Sequence, residues 1–401
     1  MKLPNEVKNV FKILRGAGYE VYIVGGSLRN ILMGKDPYDW DMTTSALPGK
    51  TSEIFIKKGF TVIETGIKHG TVTVLADKMP IEITTFRLDG EYKDQRHPEK
   101  VTFTPSLSED LARRDFTVNA MAYSDECGII DLYGGIDDLK ANILRAVGDP
   151  EKRFREDALR ILRAFRFSSE HGFMIEEKTR LAITKCGKGL LKISRERICS
   201  ELKRILMGDH ADKALKELRS CGIMPYIFPC HLDSFTFSEN IFPSLPKKLS
   251  ARITALFINF TEEAYDTAIC SLKMPNEEKL AANKTRDAVF FLSENGISRV
   301  YDARRFLQRF NELSHDALNI ASLLGFDVLA SQSLISEAEE TPFPYAVSDL
   351  AISGSDILAF GVGGKDIGDV LTFLLDSATT DPSLNCREKL SALAKKYISE
   401  K

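Results

Sequence analysis

Two carboxylates spaced two residues apart, Asp39 and Asp41, follow a pair of glycines, and that order of residue types is a chemical layout. The run reads Val21-Tyr-Ile-Val-Gly25-Gly26-Ser-Leu-Arg29-Asn30-Ile-Leu-Met-Gly34, then Lys35-Asp-Pro-Tyr-Asp39-Trp-Asp41-Met-Thr-Thr44. A β-branched apolar run predicts a strand, the glycines a turn into a short helix, and the second run a strand that carries both acids. Side chains at i and i+2 of a strand share a face. Two neighbouring carboxylates repel, so a divalent cation is their natural partner. The backbone N–H groups of Gly25 and Gly26 can approach a phosphate, and the helix start behind them favours anions. A phosphate cradle beside paired carboxylates suits metal-assisted phosphoryl or nucleotidyl transfer. A Gly-Gly turn next to two solvated acids is the structural alternative.

Two further constellations lie downstream. The segment Glu109-Asp-Leu-Ala-Arg113-Arg114-Asp115-Phe-Thr117-Val-Asn119-Ala packs several polar types into an otherwise apolar stretch. Arg113 and Arg114 can clamp phosphate oxygens through planar forks of donors. Asn119 can bond a sugar hydroxyl or hold a loop, and Asp115 can instead pair with an arginine and cap a helix. In Glu156-Asp157-Ala-Leu-Arg160-Ile-Leu-Arg163-Ala-Phe-Arg166-Phe167, the spacing predicts one continuous helix. On it Glu156, Arg160 and Arg163 share a face, and Asp157 and Arg160 at i and i+3 can bring their tips together. A plain ion-paired helix accounts for the same pattern. The functional reading is sharper. A carboxylate only accepts hydrogen bonds and a guanidinium only donates them. Cytosine and adenine each offer an amino donor beside a ring-nitrogen acceptor, whereas uracil and guanine present the reverse. An Asp157–Arg160 pair would accept C and A and reject U and G.

The elements that must position these groups follow from periodicity. Residues 1 to about 135 read as an α/β head: helix Asn5–Gly16, strand Val21–Val24, the Gly-Gly helix, the Asp39/Asp41 strand, then strands Phe60–Ile63, Thr71–Leu75 and Ile81–Thr85. The polar run Leu88–Pro98 reads as a mobile loop, in which Asp94 and Arg96 are candidates for helping the pocket switch from C to A. After Gly134-Gly135 the pattern is helical, with helices at Thr179–Ile183, Arg195–Met207, Ala211–Cys221, Asp356–Phe360 and Asp366–Asp376. Connections are expected at Pro229–Lys248 and Thr341–Val347. The expected division is a head over 1–135, a helical neck with the base pocket over 136–208, a helical body over 209–275 and a helical tail over 276–401. The fold class is therefore α+β and multidomain.

Composition narrows the classes. With 401 residues, 43% hydrophobic and 28% charged, the chain is expected to be a globular protein of two or more domains. No apolar run approaches the length of a bilayer span, and the N-terminus lacks a signal-peptide core. Seven scattered cysteines with no CxxC pair indicate neither a disulfide framework nor a zinc site. A reduced, cytoplasmic setting is the default. The net charge of −3 hides a local contrast: from Lys140 to Arg204 there are 17 Lys and Arg against 9 Asp and Glu. A basic middle in an acidic chain suggests a polyanion site, and a charged helix surface is its alternative.

The residues quoted above resemble the class II tRNA nucleotidyltransferases, the bacterial CCA-adding enzymes and their poly(A) polymerase relatives. That family's G-G-x-V-R-D and D-x-D look like Gly25 to Asn30 and Asp39-Trp-Asp41. Its R-R-D-F-T-x-N-A looks like Arg113 to Ala120, and its E-D-x-x-R-x-x-R-A-x-R-F like Glu156 to Phe167. Residues 66–74 and 85–90 also look like family segments, and Ser353–Ile357 and Lys365–Gly368 look more loosely like the family tail. The resemblance implies a polymerase-β-like head. It implies Mg²⁺ on Asp39 and Asp41, and nucleotide phosphates on Gly26 and Arg29 with Arg113 or Arg114. It also implies a nucleotide pocket that includes Asp157, Arg160, Arg163 and Arg166. The implied activity is template-independent addition of C, C and A to tRNA 3′ ends from CTP and ATP, with tRNA as partner and no membrane. Monomer and homodimer both remain open. Asn30 departs from the family's Asp, and His97 from a common Arg in the loop. A CC-adding or A-adding specialist, a poly(A) polymerase and a catalytically silent RNA-binding relative are the alternatives. The Leu88–Pro98 loop argues against the CC-adding form, which resembles the family with this loop shortened. The mixed, partly acidic tail argues against the poly(A) form, and the two acids against the silent one.

Overall fold

The computed structural model describes residues 1–37, 39–89, 101–228 and 239–400. The chain forms two compact units. One comprises Met1–Ser234 with Thr261–Lys273, the other Phe235–Phe260 with Met274–Lys401. The chain therefore leaves the first unit and returns to it for the helix Glu262–Ser271 before leaving again.

The first unit opens with a seven-stranded mixed sheet. In chain order its elements are α1 (Asn5–Gly16), β1 (Val21–Val24), α2 (Gly25–Leu32), β2 (Trp40–Thr44), α3 (Pro48–Lys57), β3 (Thr61–Ile63), β4 (Thr71–Ala76), β5 (Met79–Thr85), β6 (Arg87–Asp89), β7 (Val101–Phe103), α4 (Leu107–Ala112), β8 (Met121–Ser124), β9 (Gly128–Asp131) and α5 (Gly135–Lys140). The strand order is β3-β4-β5-β2-β1-β8-β9. The β2–β5 pair is parallel and the other neighbours are antiparallel. β6 and β7 form a separate ribbon.

The central strand β1 is buried throughout because both faces of the sheet are covered. Val21 and Ile23 join Val7, Val10, Phe11 and Leu14 of α1 and Phe55 of α3 in the main core. Tyr22 and Val24 join Phe86, Leu111 and Ala122 on the opposite face. β2 alternates in the same sense: Trp40 and Met42 enter the main core, so Asp41 and Thr43 point to the other side. The strand begins at Trp40, not before it, so Asp39 sits in a bend and its placement does not come from strand alternation.

The same unit continues with β10 (Ile143–Leu144), α6 (Pro150–Glu156), α7 (Leu159–His171), β11 (Met174–Ile175), α8 (Glu177–Cys186), α9 (Arg195–Met207), α10 (Ala211–Ser220) and α11 (Met224–Ile227). One expectation is overturned here, because Glu156–Phe167 is two helices. Asp157 adopts φ −141°, ψ 104°, and its Oδ1 accepts the Leu159 N–H at 3.0 Å. A local side-chain bond of this kind competes with helix continuation, and apolar periodicity cannot reveal it. The Leu88–Pro98 expectation is also trimmed, since Leu88 and Asp89 belong to β6. Asp94, Arg96 and His97 lie outside the described residues.

The second unit is helical, with helices Leu249–Phe257, Asn276–Glu294, Val300–Phe310, Ser314–Leu323, Leu329–Glu340, Gly354–Ala359, Asp366–Thr380 and Arg387–Glu400. Buried Arg304 donates to the Thr379 and Thr380 carbonyls at 2.9 and 3.1 Å and caps one of them. Among the described residues no helix is long and apolar enough to cross a membrane.

α7 and α9 approach closely at Gly208. A Cβ there would lie 2.6 Å from the Ser169 carbonyl carbon and nearer still to its oxygens. Ser169 Oγ is committed to the Ile205 carbonyl at 2.6 Å, and Ser169 O receives His210 N at 2.9 Å, so neither can retreat. Gly208→Ala is expected to destabilise the protein by ~1–3 kcal/mol. Gly49→Ala in α3, where a Cβ meets open space, should be neutral or stabilising by up to ~1 kcal/mol. Denaturant midpoints of the two variants measure the contrast.

Candidate active site

The carboxylate pair is positioned by one hydroxyl. Ser27 Oγ donates to the Asp39 carbonyl at 2.9 Å and accepts the Asp41 N–H at 2.8 Å. Helix α2 thus fixes the backbone on both sides of Trp40, which joins the two acids where strand alternation does not. Gly25 has φ +65°, and a Cβ on it would sit 3.2 Å from Arg114 Nη1 and 3.5 Å from Asp41 Oδ2. A left-handed, closely overlapped position of this kind suits glycine. Gly26 differs: its nearest neighbour would be Arg29 Nη2 at 3.7 Å. The structure therefore brings Gly25, Asp41 and Arg114 into one corner.

Arg113 and Arg114 both converge on Asp110, which is fully buried. Arg113 donates from Nε and Nη2 at 3.0 and 2.7 Å, Arg114 from Nη2 at 3.1 Å, and the Thr43 hydroxyl at 3.3 Å. Burial alone would push the Asp110 carboxyl up, but Arg114 and Arg113 outweigh it and hold it below the usual range. Asp110 escaped sequence reasoning, although its i+3 and i+4 spacing to the two arginines was a readable signal.

Arg29 is buried and belongs to a relay. Its Nη1 donates to Asn119 Oδ1 at 2.7 Å, and Asn119 Nδ2 donates to Asp115 Oδ1 at 3.1 Å. Asp115 Oδ2 receives Arg163 Nε at 2.8 Å and Nη2 at 2.6 Å. Of the two uses open to Asn119, this geometry matches the holding of local structure. Asn30 accepts Arg29 Nη2 at 3.0 Å, so the amide keeps that hydrogen bond without the charge. Burial opposes ionisation of Asp115, yet Arg163 and the Asn119 bond hold its carboxyl far below the usual range. Burial pushes Arg29 down to about 10 despite the pull of Asp115. The guanidinium carbons of Arg166, Arg29 and Arg163 lie 4.4, 4.9 and 5.3 Å from the Phe167 ring centre.

Around the α6–α7 break, Asp157 and Arg160 do not meet as the single-helix expectation required. Asp157 Oδ2 receives Arg197 Nη2 at 3.0 Å. Arg160 donates to Glu156 Oε2 at 3.0 Å, to the Arg153 carbonyl at 3.3 Å and to the Arg113 carbonyl at 2.9 Å. Arg166 Nη1 bonds both oxygens of Glu201 at 3.0 Å and braces α7 against α9. Glu201 and Arg197 lie 35 and 40 residues from their partners, and no local pattern announced them.

The acids fit a divalent cation. Asp41 is pushed up to about 6 by burial first, then by Glu82 at its register position on β5, with Asp39 adding; Arg114 and Arg29 oppose. A cation would relieve that deficit. Among the described residues no group of three or more His, Cys, Asp and Glu is placed to hold an ion. Two carboxylates completed by substrate phosphates is the shell that Mg²⁺ commonly takes.

A mixed sheet with a glycine-led helix, two acids at the start of its middle strand and a helical remainder defines a nucleotidyltransferase. The family described as "Poly A polymerase head domain" matches residues 21–145, and that described as "Probable RNA and SrmB- binding site of polymerase A" matches residues 172–235. A CCA-adding enzyme of Leuconostoc mesenteroides subsp. mesenteroides is 34% identical, covering 100% of this chain and 98% of its own. One from Lactobacillus helveticus is 49% identical over 54% of each. Among solved structures, the Bacillus stearothermophilus CCA-adding enzyme in complex with CTP superposes with a TM-score of 0.82 at 29% identity, covering 100% and 99% of the two chains. The chain belongs to the family of CCA-adding enzymes, and divalent-metal dependence goes with that family.

The Asp41 shift has a stability consequence. Its folded value lies above the ordinary 3.8, so the folded state binds the proton more tightly, and ionising it costs stability as pH rises from about 4 to about 6. Above that window the cost is constant. Asp41→Asn should therefore raise the melting temperature of the metal-free protein by a few degrees at pH 8 and leave it unchanged near pH 3. Differential scanning calorimetry at the two pH values measures this.

Proposed function

We propose that this protein is a template-independent tRNA nucleotidyltransferase that adds C, C and A to tRNA 3′ ends, using CTP, ATP and Mg²⁺ in the cytoplasm. The observation that carries the reading is the corner where Gly25, Asp41 and Arg114 converge, with Asp39 tied to it through Ser27. The full-length likeness to CCA-adding enzymes favours complete CCA addition over a CC-only, A-only or poly(A) activity.

In this reading residues 1–135 are the catalytic head, 136–208 the neck with the base pocket, 209–275 the body and 276–401 the tRNA-binding tail. Asp39 and Asp41 would hold the metal, whose chemistry when bound would be to lower the pKa of the primer 3′-hydroxyl and offset the triphosphate charge. Gly25 and Gly26 leave room for phosphate oxygens beside the α2 N-terminus, and Arg114 supplies charge there. Arg113 supports that position through Asp110, and Asn119 keeps Arg29 oriented. Asp157 accepts from the amino group of C or A, and Arg160 donates to the ring nitrogen. Arg163 and Arg166 shape the pocket through Asp115 and Glu201. The basic neck engages tRNA through its backbone rather than its sequence.

Incubation with CTP, ATP or both on tRNA ending at the discriminator base should give CC, nothing and CCA respectively. Asp39→Ala and Asp41→Ala should abolish incorporation of both nucleotides while sparing tRNA binding. Near-normal turnover by either variant rejects the metal assignment. Gly26→Ala adds a methyl where the protein leaves space, so its melting temperature should hold while KM for both nucleotides rises about tenfold, the effect of ~1.4 kcal/mol. Steady-state kinetics beside a thermal melt separates the two effects.

A further inference from the structure

Asp157 stands at the break between α6 and α7 with both oxygens engaged. Oδ1 accepts the Leu159 N–H at 3.0 Å, and Oδ2 accepts Arg197 Nη2 at 3.0 Å. The first bond fixes the carboxylate against the start of α7. The second comes from the first turn of α9, 40 residues away in sequence. The two bonds use one lone pair on each oxygen, so the carboxylate is held in one plane with lone pairs to spare. Arg197 is spent on only one side. Its Nη1 is shielded from solvent and has no acceptor among the described residues. A buried donor left unmet costs stability, so an ion pair selected for stability alone would satisfy it. The Arg197 and Asp157 side chains keep about a quarter and a sixth of their surface exposed, so the pair borders open space (26% and 17%).

We propose that Arg197 is a positioning residue for nucleotide selection: it sets which lone pair of Asp157 faces the exocyclic amino group of the incoming base. This rests on the base-reading role of Asp157 and goes beyond it, because it places part of the selectivity on α9, outside the segment that reads the base. Without Arg197, the Asp157 carboxylate keeps only its bond to Leu159 N–H and can rotate about χ2. A rotating carboxylate still accepts hydrogen bonds, but no longer at one angle and distance, so correct and incorrect bases are told apart less well. The chemistry at Asp39 and Asp41 is untouched, so the effect should fall on the ratio between nucleotides.

The test measures kcat/KM for CTP against UTP on tRNA ending at the discriminator base, and for ATP against GTP on tRNA ending in CC. It uses the wild type, Asp157→Asn, Arg197→Gln, Arg197→Lys and the Asp157→Asn/Arg197→Gln double variant, each with a thermal melt. Arg197→Gln should narrow both ratios by about tenfold, chiefly through KM, and Arg197→Lys should restore part of the loss. The double variant should discriminate no worse than Asp157→Asn alone, the coupling expected when one residue acts through the other. If Arg197→Gln lowers all four nucleotides equally, shifts only the melting temperature, or multiplies with Asp157→Asn, the inference is overturned while the base-reading role stands. If Asp157→Asn itself leaves both ratios intact, the base-reading role fails and the inference with it. Should Arg197→Gln not fold, the Lys variant carries the test, and wild-type ratios there overturn the inference.

Discussion

A buried carboxylate, Asp115, ties the α2 arginine to helix α7. One of its oxygens reaches Arg29 through Asn119, and the other receives a two-pronged bond from Arg163 on α7. The charge is affordable in the interior only because guanidinium and amide donors surround it. Loss of the carboxylate would strand Arg163 beside Phe167 and leave the Asn119 amide N–H without its partner. Helices α2 and α7 therefore share one electrostatic anchor.

Arginine is used here with economy of contact. Arg153 and Arg160 share the single carboxylate of Glu156 and also donate to the carbonyls of Ala112 and Arg113, at the end of the short helix that carries Asp110. Carbonyl partners satisfy hydrogen bonds without neutralising charge, so much of the positive field survives inside the protein. The burial of His171, aided by Arg29 and Lys35, points the same way: its imidazole is pushed down to about 3 and stays neutral against Phe167. Positive charge retained in this way favours anions nearby.

The sequence foretold the regular elements where one physical signal dominated. α1 and α9 follow their apolar periodicity to the residue, and the β1 run is apolar throughout because both faces of its sheet are covered. Periodicity failed at Asp157, where a single side-chain bond interrupts a sequence that is otherwise helical on every count. Spacing failed at Asp39, which precedes its strand and is held by Ser27 instead. The polar types of the site were visible in the sequence, but their partners were not. Glu201 and Arg197 meet Arg166 and Asp157 only after three helices have packed, and nothing local encodes such a meeting.

The path of the chain adds a constraint on how the protein is made. The first unit takes back Thr261–Lys273 after Phe235–Phe260 has already gone to the second. On a ribosome the chain emerges N-terminus first, and domains tend to fold as units. The catalytic head can gather its sheet early, but the unit that contains it is short of one helix until residue 273 is out. Folding of the two units is thereby interleaved in time, and a nascent chain halted between residues 235 and 260 would carry its sheet in an unfinished unit.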